Sequence, residues 1–324
     1  MIDRQLIAKP VVSEFKQFEA DFTKTLHSDI PLLQSTIEQV LRANGKHIRP
    51  LLLLLTAKAY GEPTVMTRQA AVIVEALHTT TLIHDDVIDE TKQRRGKPSL
   101  NAIFDNRIAV LTGDYLLSGT ILNAVETGNI VIIQTIALVC RELSEGEFLQ
   151  LNNTEQRSLD EDAYMQMIRK KTATLISACS EIGAISVDAP PEIVHQCRLF
   201  GEYLGYCFQI KDDIFDYYED VNIGKPTGND IREGKITLPL LYALRIAPGN
   251  ERSLYLSIID NQDYTPENIT SLIRFAKQYG GITYAENRLM EFKQKAVDII
   301  HRFPESEARN SLLLLADYFS ERTN

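Results

Sequence analysis

The chain of 324 residues contains no tryptophan and only four cysteines, Cys140, Cys179, Cys197 and Cys207. No two of them make a CxxC pair, and Cys197 and Cys207, if on one helix, lie about 15 Å apart, beyond disulfide reach. A disulfide scaffold and a zinc cluster are therefore excluded. Glycine (16) and proline (12) fall below the average usage of about 7% and about 5%, which disfavours disordered and turn-rich all-β chains. Long uncharged runs are also missing. The longest stretch free of Asp, Glu, Lys and Arg is Thr127 to Cys140, 14 residues, whereas a bilayer crossing needs about 20, so no transmembrane segment is expected. Positive charge is in deficit, with 34 Lys plus Arg against 44 Asp plus Glu and a net charge of −10, and no basic face with interleaved aromatics appears. Nucleic acid is not expected as a partner. The opening MIDRQLIAKP lacks the basic-then-apolar pattern of a secretion signal, so the expected location is cytoplasmic.

What is present is helical periodicity. Apolar residues recur at three-and-four spacing over Leu26 to Leu41, Ile48 to Tyr60, Ala70 to Ile88, Ile103 to Val125, Ile130 to Leu151, Met165 to Ile185 and Ile193 to Tyr217. Turn residues punctuate them: Gly61-Glu62-Pro63, Gly96-Lys97-Pro98, Gly128-Asn129, Ala189-Pro190-Pro191, and a longer break from Asn222 to Gly234. No run alternates long enough to make a strand, and no repeat or low-complexity tract is found. The stretch Ser253 to Phe319 continues helically without a dense polar cluster and reads as scaffold. Apolar a/d heptads are not sustained, so the expected fold is all-α, a compact single-domain bundle over 1–324 rather than a coiled coil.

The chemistry concentrates in two segments that look alike, Leu82-Ile-His-Asp-Asp-Val-Ile-Asp89 and Phe208-Gln-Ile-Lys-Asp-Asp-Ile-Phe-Asp216. On a helix Asp85 and Asp89 stand at i and i+4, as do Asp212 and Asp216, so each pair projects two carboxylates from one face about 6 Å apart. Like charges so placed repel, and a divalent cation removes that cost. Oxygen ligands with no Cys or His alternative point to Mg²⁺, which takes one or two carboxylates and completes its octahedron with water and phosphate oxygens. Acidic triplets are common on solvated helix faces. Here Leu82, Ile83, Val87 and Ile88 surround one triplet and Phe208, Ile210, Ile214 and Phe215 the other, which is not how a solvated face is built. The matched spacing predicts two metal-binding walls of one pocket, formed by Asp85, Asp86, Asp89 and by Asp212, Asp213, Asp216.

Bases follow the acids. Arg94 and Arg95 stand after the first triplet, Lys225 and Lys235 after the second, and Lys46-His-Ile-Arg49 and Lys170-Lys171-Thr172 fill two further segments. Singly, each reads as ordinary surface charge. Together with carboxylates suited to Mg²⁺ they suit a polyanion, since metal and guanidinium groups both bind phosphate oxygens. Diphosphate is the simplest such ligand.

These motifs, in this order, resemble the all-trans polyprenyl diphosphate synthase family: Gly45-Lys-His-Ile-Arg-Pro50, the first Asp-Asp-x-x-Asp with Arg94-Arg-Gly96, Lys171-Thr172, Phe208 to Asp216, and Gly224-Lys225 through Gly234-Lys-Ile-Thr-Leu-Pro239. Departures are few: Asn44 and His47 stand where many relatives carry Gly and Arg, and Lys211 is an unusual charge inside the second motif. The resemblance implies a helical bundle with a central cavity between helices. It implies a prenyltransferase that ionises an allylic diphosphate primer, adds isopentenyl diphosphate and loses a proton, with about three Mg²⁺ per site. Asp85, Asp89 and Asp212 would be direct metal ligands, with Asp86, Asp213 and Asp216 direct or through water. Arg94, Lys171, Lys225 and Lys235 would stabilise the leaving diphosphate. Lys46, Arg49, His78 and Arg95 would hold isopentenyl diphosphate, and Thr172 and Gln209 would steady the allylic cation with neutral oxygens. A homodimer is implied as well, with Ile103 to Val125 as a candidate apolar interface.

One helical turn rises about 5.4 Å, close to one isoprene unit, so positions on the turns before Asp85 are candidate floors for the growing chain. These are Thr80 and Thr81, then Leu77, then Val74. Short-chain members commonly carry a bulky aromatic at the first turn; here both residues are small, which predicts a product longer than about C20, in the range of about C30 to C50. A shorter geranylgeranyl or farnesyl product is the alternative. A class I terpene cyclase usually has an Asn/Ser/Glu second motif in place of the repeated triplet. A non-catalytic partner subunit is expected to lose one triplet, and a structural bundle leaves six ordered charged clusters unexplained.

Overall fold

The computed structural model describes residues 4–42, 45–94, 96–218 and 227–321. These fold as helices throughout, apart from one two-residue antiparallel ladder that pairs Gln93–Arg94 with Lys97–Pro98 around Gly96, whose φ is +72°. A ladder this short carries no alternating pattern, so periodicity gave no sign of it. The chain divides into two compact units, the first made of Met1–Val139, Leu175–Gly201 and Ile299–Leu315, the second of Cys140–Thr174, Glu202–Asp298 and Ala316–Asn324.

In the first unit the helix Ile48–Tyr60 carries five consecutive leucines, Leu51 to Leu55, all fully buried. A helix apolar all round belongs at the centre of a bundle, and each buried leucine contributes roughly 2 kcal/mol of transfer free energy. Beside it runs Val65–Ile88, started by a reciprocal cap in which Thr67 N–H donates to Thr64 Oγ1 at 3.2 Å and Thr64 N–H to Thr67 Oγ1 at 2.9 Å. Val65–Ile88 packs on Ile48–Tyr60, on Val12–Thr25 and on Asn106–Glu126. The last contact is close because Gly113 has no side chain: a Cβ there would meet His84 Nε2 at 2.2 Å. His84 accordingly serves packing, with Nε2 3.5 Å from Asp114 Oδ1. By length and composition Asn106–Glu126 is long and apolar enough to cross a membrane, which the count of uncharged residues missed because Arg107 and Asp114 interrupt it. Its buried residues are Ala109, Thr112, Gly113, Leu116, Thr120 and Ala124.

In the second unit Leu238–Ile246 packs on Pro266–Gln278 and on Glu161–Ile168. The stretch read as one helix from Met165 to Ile185 is interrupted by a π-helical turn, Arg169–Ala173, before Thr174–Ile185. Such widened turns recur at functional sites, and hydropathy does not register them. From the stretch Ser253 to Phe319, which reads as scaffold, Tyr284 joins a polar cluster whose other members, Glu161, Tyr242 and Arg245, precede it in the chain. Tyr284 Oη donates to both oxygens of Glu161 at 2.8 Å, Arg245 Nη1 donates to Glu161 at 3.0 Å, and Arg245 covers the Tyr242–Tyr284 stack.

Candidate active site

In the first unit the Val65–Ile88 helix presents Asp85 and Asp86 on its last turn, and Asp89 follows as its C-cap, with Asp89 N–H donating to Asp85 O at 2.8 Å. The i, i+4 relation of Asp85 and Asp89 therefore survives to the helix end. Asp86, about 100° further round, points inward. Its Oδ1 accepts Arg94 Nε at 2.8 Å and lies 2.7 Å from Arg94 Nη2, its carbonyl accepts Asn101 Nδ2 at 3.1 Å, and it is 5% exposed. Arg94 comes from the short ladder, so the Asp86 pair sets where that guanidinium sits. Arg94 and Asp86 line one pocket with His78, Glu75 and Gly45. Lys46, next to Gly45, is exposed, and Arg49 lies in the first turn of Ile48–Tyr60. A helix N-terminus flanked by Lys46 and Arg49 is a ready anion site. Arg95 and Asn44 lie outside the described residues.

Between Lys46 and Arg49 stands His47, a residue that the sequence marked only as a departure. It caps the helix with φ +48°, in the left-handed region. Its Nδ1 lies 2.9 Å from Glu75 Oε1, and Phe15, Phe18 and Phe22 surround the ring with their centroids 5.4 to 6.5 Å away, all three tilted or edge-on. The buried His47–Glu75 pair fixes the turn that carries both basic residues.

In the second unit the second triplet repeats the division of labour. Asp212 is half-buried, and Asp213 is buried and bonded inward. Tyr164 Oη donates to Asp213 Oδ2 at 2.5 Å and Gln209 Nε2 to Oδ1 at 2.8 Å. Burial first, then the charge of Asp230, pushes Asp213 up to about 8, against the two donors. Burial, and then the Asp213 charge, holds the Tyr164 phenol well above its ordinary range, so it remains a donor. Asp216 accepts Asn229 N–H at 2.9 Å and Asp230 N–H at 3.0 Å, fixing the Asn229–Arg232 turn. Asp230 is the carboxylate that sequence reading missed; the only hint was its place between Gly224-Lys225 and Gly234-Lys235. Lys235 Nζ donates to Glu233 Oε2 at 2.5 Å. Lys225 lies outside the described residues.

The Asp213 network orients the two neutral oxygens. With Gln209 Nε2 donating to Asp213, its Oε1 faces Thr172, whose hydroxyl donates to it at 2.7 Å. The Thr172 proton is thereby committed and the oxygen lone pairs point elsewhere. Thr172 and Lys171 belong to the π-helical turn, against which two glycines press: a Cβ on Gly146 would come 2.6 Å from Lys171 N, and one on Gly205 2.4 Å from Ala173 Cα. Gly146→Ala is expected to destabilise the protein by about 1–3 kcal/mol through overpacking and to displace Lys171. Thermal unfolding checks this, and an unchanged transition would mean that the turn tolerates the methyl group.

Residues 30–276 match the family model described as Polyprenyl synthetase. The chain belongs to the polyprenyl synthetase family. It is a prenyltransferase of the all-trans polyprenyl diphosphate synthase type, and the all-α class read from periodicity is borne out. Among polyprenyl synthetase relatives, the chain is 35% identical to an all-trans-nonaprenyl-diphosphate synthase (geranyl-diphosphate specific) of Rhodobacter capsulatus, over 96% of both chains. The crystal structure of a decaprenyl diphosphate synthase from Rhodobacter capsulatus superposes with a TM-score of 0.92 at 33% identity, covering 98% of each chain. That of geranylgeranyl pyrophosphate synthase from Bacteroides thetaiotaomicron gives 0.85 at 42% identity, covering 98% of this chain and 99% of the other.

Proposed function

We propose that the chain condenses an allylic diphosphate with successive isopentenyl diphosphates to a product of about C30 to C50, reading one isoprene unit per turn of the helix before Asp85. The observation that carries the reading is the same arrangement in both triplets. The middle aspartate is buried and bonded within the protein, and the first, Asp85 or Asp212, is left less buried on another helix face.

Asp85, Asp89 and Asp212 would hold magnesium, with Asp86, Asp213 and Asp216 acting through their bonded positions or through water. The donor set fits. Its chemistry is all carboxylate oxygen, and Mg²⁺ needs only one or two carboxylates where phosphate and water complete its shell; among the described residues no three His, Cys, Asp or Glu side chains gather to hold a metal by themselves. When bound, magnesium supplies charge neutralisation for the leaving diphosphate. The protein's own groups do the rest. Arg94, Lys171 and Lys235, with Lys225, donate to phosphate oxygens as negative charge grows on the bridging oxygen. Lys46, Arg49 and His78, with Arg95, hold the second diphosphate at the Ile48–Tyr60 N-terminus. Thr172 and Gln209 offer lone pairs too weakly nucleophilic to trap the cation. The released diphosphate takes the proton, so no side-chain base is needed.

Thr81, Leu77 and Val74 precede Asp85 at i−4, i−8 and i−11, and with Thr80 they form the proposed floor for the chain. Leu77, Val74 and Thr80 are buried and Thr81 is half-buried. A second reading, a geranylgeranyl product, is favoured by the 42% identity to the Bacteroides thetaiotaomicron structure. Chromatography of products from farnesyl diphosphate and labelled isopentenyl diphosphate separates the two. Products beyond C20 support the first reading, a stop at C20 supports the second, and no prenyl product would contradict both.

The reading of 1–324 as a single catalytic domain is supported by relatives that match 96% and 98% of the chain. Leu111, Tyr115, Leu122 and Val125 form an exposed apolar stripe on Asn106–Glu126 that suits a second copy, and the homodimer is checked by molar mass in solution. Free thiols at all four cysteines suit the reducing cytoplasm.

A further inference from the structure

The three basic residues of Arg169-Lys170-Lys171 each meet a glutamate of the Ile130–Glu155 helix: Arg169 with Glu142 at 3.1 Å, Lys170 with Glu145, and Lys171 with Glu147. The two lysines take the two glutamates that flank Gly146. Because Gly146 lets the helix press directly on the backbone of Lys171, its neighbours Glu145 and Glu147 straddle the contact and reach one lysine each. Lys171 Nζ lies 2.7 Å from Glu147 Oε1 and donates to Oε2 at 2.9 Å, and the two side chains are only 22% and 20% exposed. Lys171 is thus held by both oxygens of one carboxylate in a part-buried place where its charge is poorly solvated. Arg94 on Asp86 and Lys235 on Glu233 repeat the pattern at other cations assigned to diphosphate.

We propose that Glu147 is a positioning residue that occupies Lys171 in the diphosphate-free protein and gives it up when diphosphate binds. This rests on the reading of Lys171 as a diphosphate ligand. An ammonium group already facing a carboxylate offers a new anion only the difference between the two interactions. Glu147 therefore keeps the charge of Lys171 compensated before substrate arrives, weakens the hold on the diphosphate group, and takes Lys171 back as the product diphosphate leaves. Glutamine at this position keeps the size and an acceptor oxygen but removes the competing charge. Aspartate keeps the charge one methylene further from the lysine.

The test is calorimetric titration of inorganic diphosphate, in excess Mg²⁺, into the full-length chain and its variants. Glu147→Gln is expected to bind diphosphate about tenfold tighter than the unaltered chain, with KM for the allylic diphosphate lowered in parallel and kcat not raised. Glu147→Asp should fall between the two. In a Lys171→Met background the Glu147→Gln change should have no effect, because the group competed for is gone. Glu145→Gln, which releases Lys170 and Arg141 but leaves the Lys171–Glu147 pair in place, should leave the affinity as it was. Equal or weaker diphosphate binding by Glu147→Gln would overturn the proposal, as would the same gain with Lys171 removed. If the unaltered chain takes up no diphosphate with Mg²⁺, or Lys171→Met binds as well as it does, the assignment of Lys171 fails and the proposal falls with it.

Discussion

Asp85→Ala is expected to lower turnover by about a thousandfold or more while leaving the unfolding transition close to that of the unaltered chain. The separation of the two effects follows from the geometry of the helix end. Asp85 lies in the last turn of Val65–Ile88, half-buried, and what its side chain is proposed to hold is metal and phosphate. Its neighbour behaves differently. Asp86 is 5% exposed and carries the Arg94 guanidinium on one oxygen, so Asp86→Ala leaves a charged partner without its acceptor and is expected to cost about 1–3 kcal/mol of stability as well as activity. Calorimetric unfolding and product formation, measured on both variants, distinguish these outcomes. Near-normal turnover of Asp85→Ala at saturating Mg²⁺ would remove the metal role of the first triplet.

Thr81→Phe is expected to shorten the product by several isoprene units. Position 81 lies one turn before Asp85 on the same helix face, and phenylalanine there adds a ring of about 5 Å, comparable with the rise of one turn. Threonine at 81 is half-buried and its hydroxyl donates to His78 O at 2.8 Å, a bond within the helix whose loss exposes no acceptor. Folding should therefore survive the change, and the effect should fall on chain length. Radiolabelled products resolved by chromatography give the answer, and an unchanged distribution would place the growing chain along other residues.

The helices were legible because burial imposes a period on sequence. Periodicity over Ile48 to Tyr60 agrees with the structure at both ends, whereas the run Ala70 to Ile88 omits the capped start Val65 to Gln69. The aspartate triplets were legible because their spacing is local: i and i+4 fall on one face in any helix. What escaped depends on partners far along the chain or on backbone form. The resemblance sets Asp213 apart from Asp212 only as a ligand direct or through water; its inward role is set by Tyr164, 49 residues away, and the partner of Lys171 is 24 residues away. The π-helical turn left no mark because one extra residue per turn barely shifts a hydropathy pattern. His47 looked like a lost arginine. Its left-handed conformation and its bond to Glu75 make it the support of the basic turn instead.

Magnesium on the aspartate triplets is proposed to enable diphosphate departure. The most direct test is the release of inorganic diphosphate from an allylic diphosphate and isopentenyl diphosphate by the chelator-stripped chain as Mg²⁺ is added back. Release should be absent in chelator, rise with Mg²⁺, and fail to rise in Asp85→Ala and Asp212→Ala. Full-rate release in chelator, or an undiminished Mg²⁺ response with both aspartates replaced, would contradict the account.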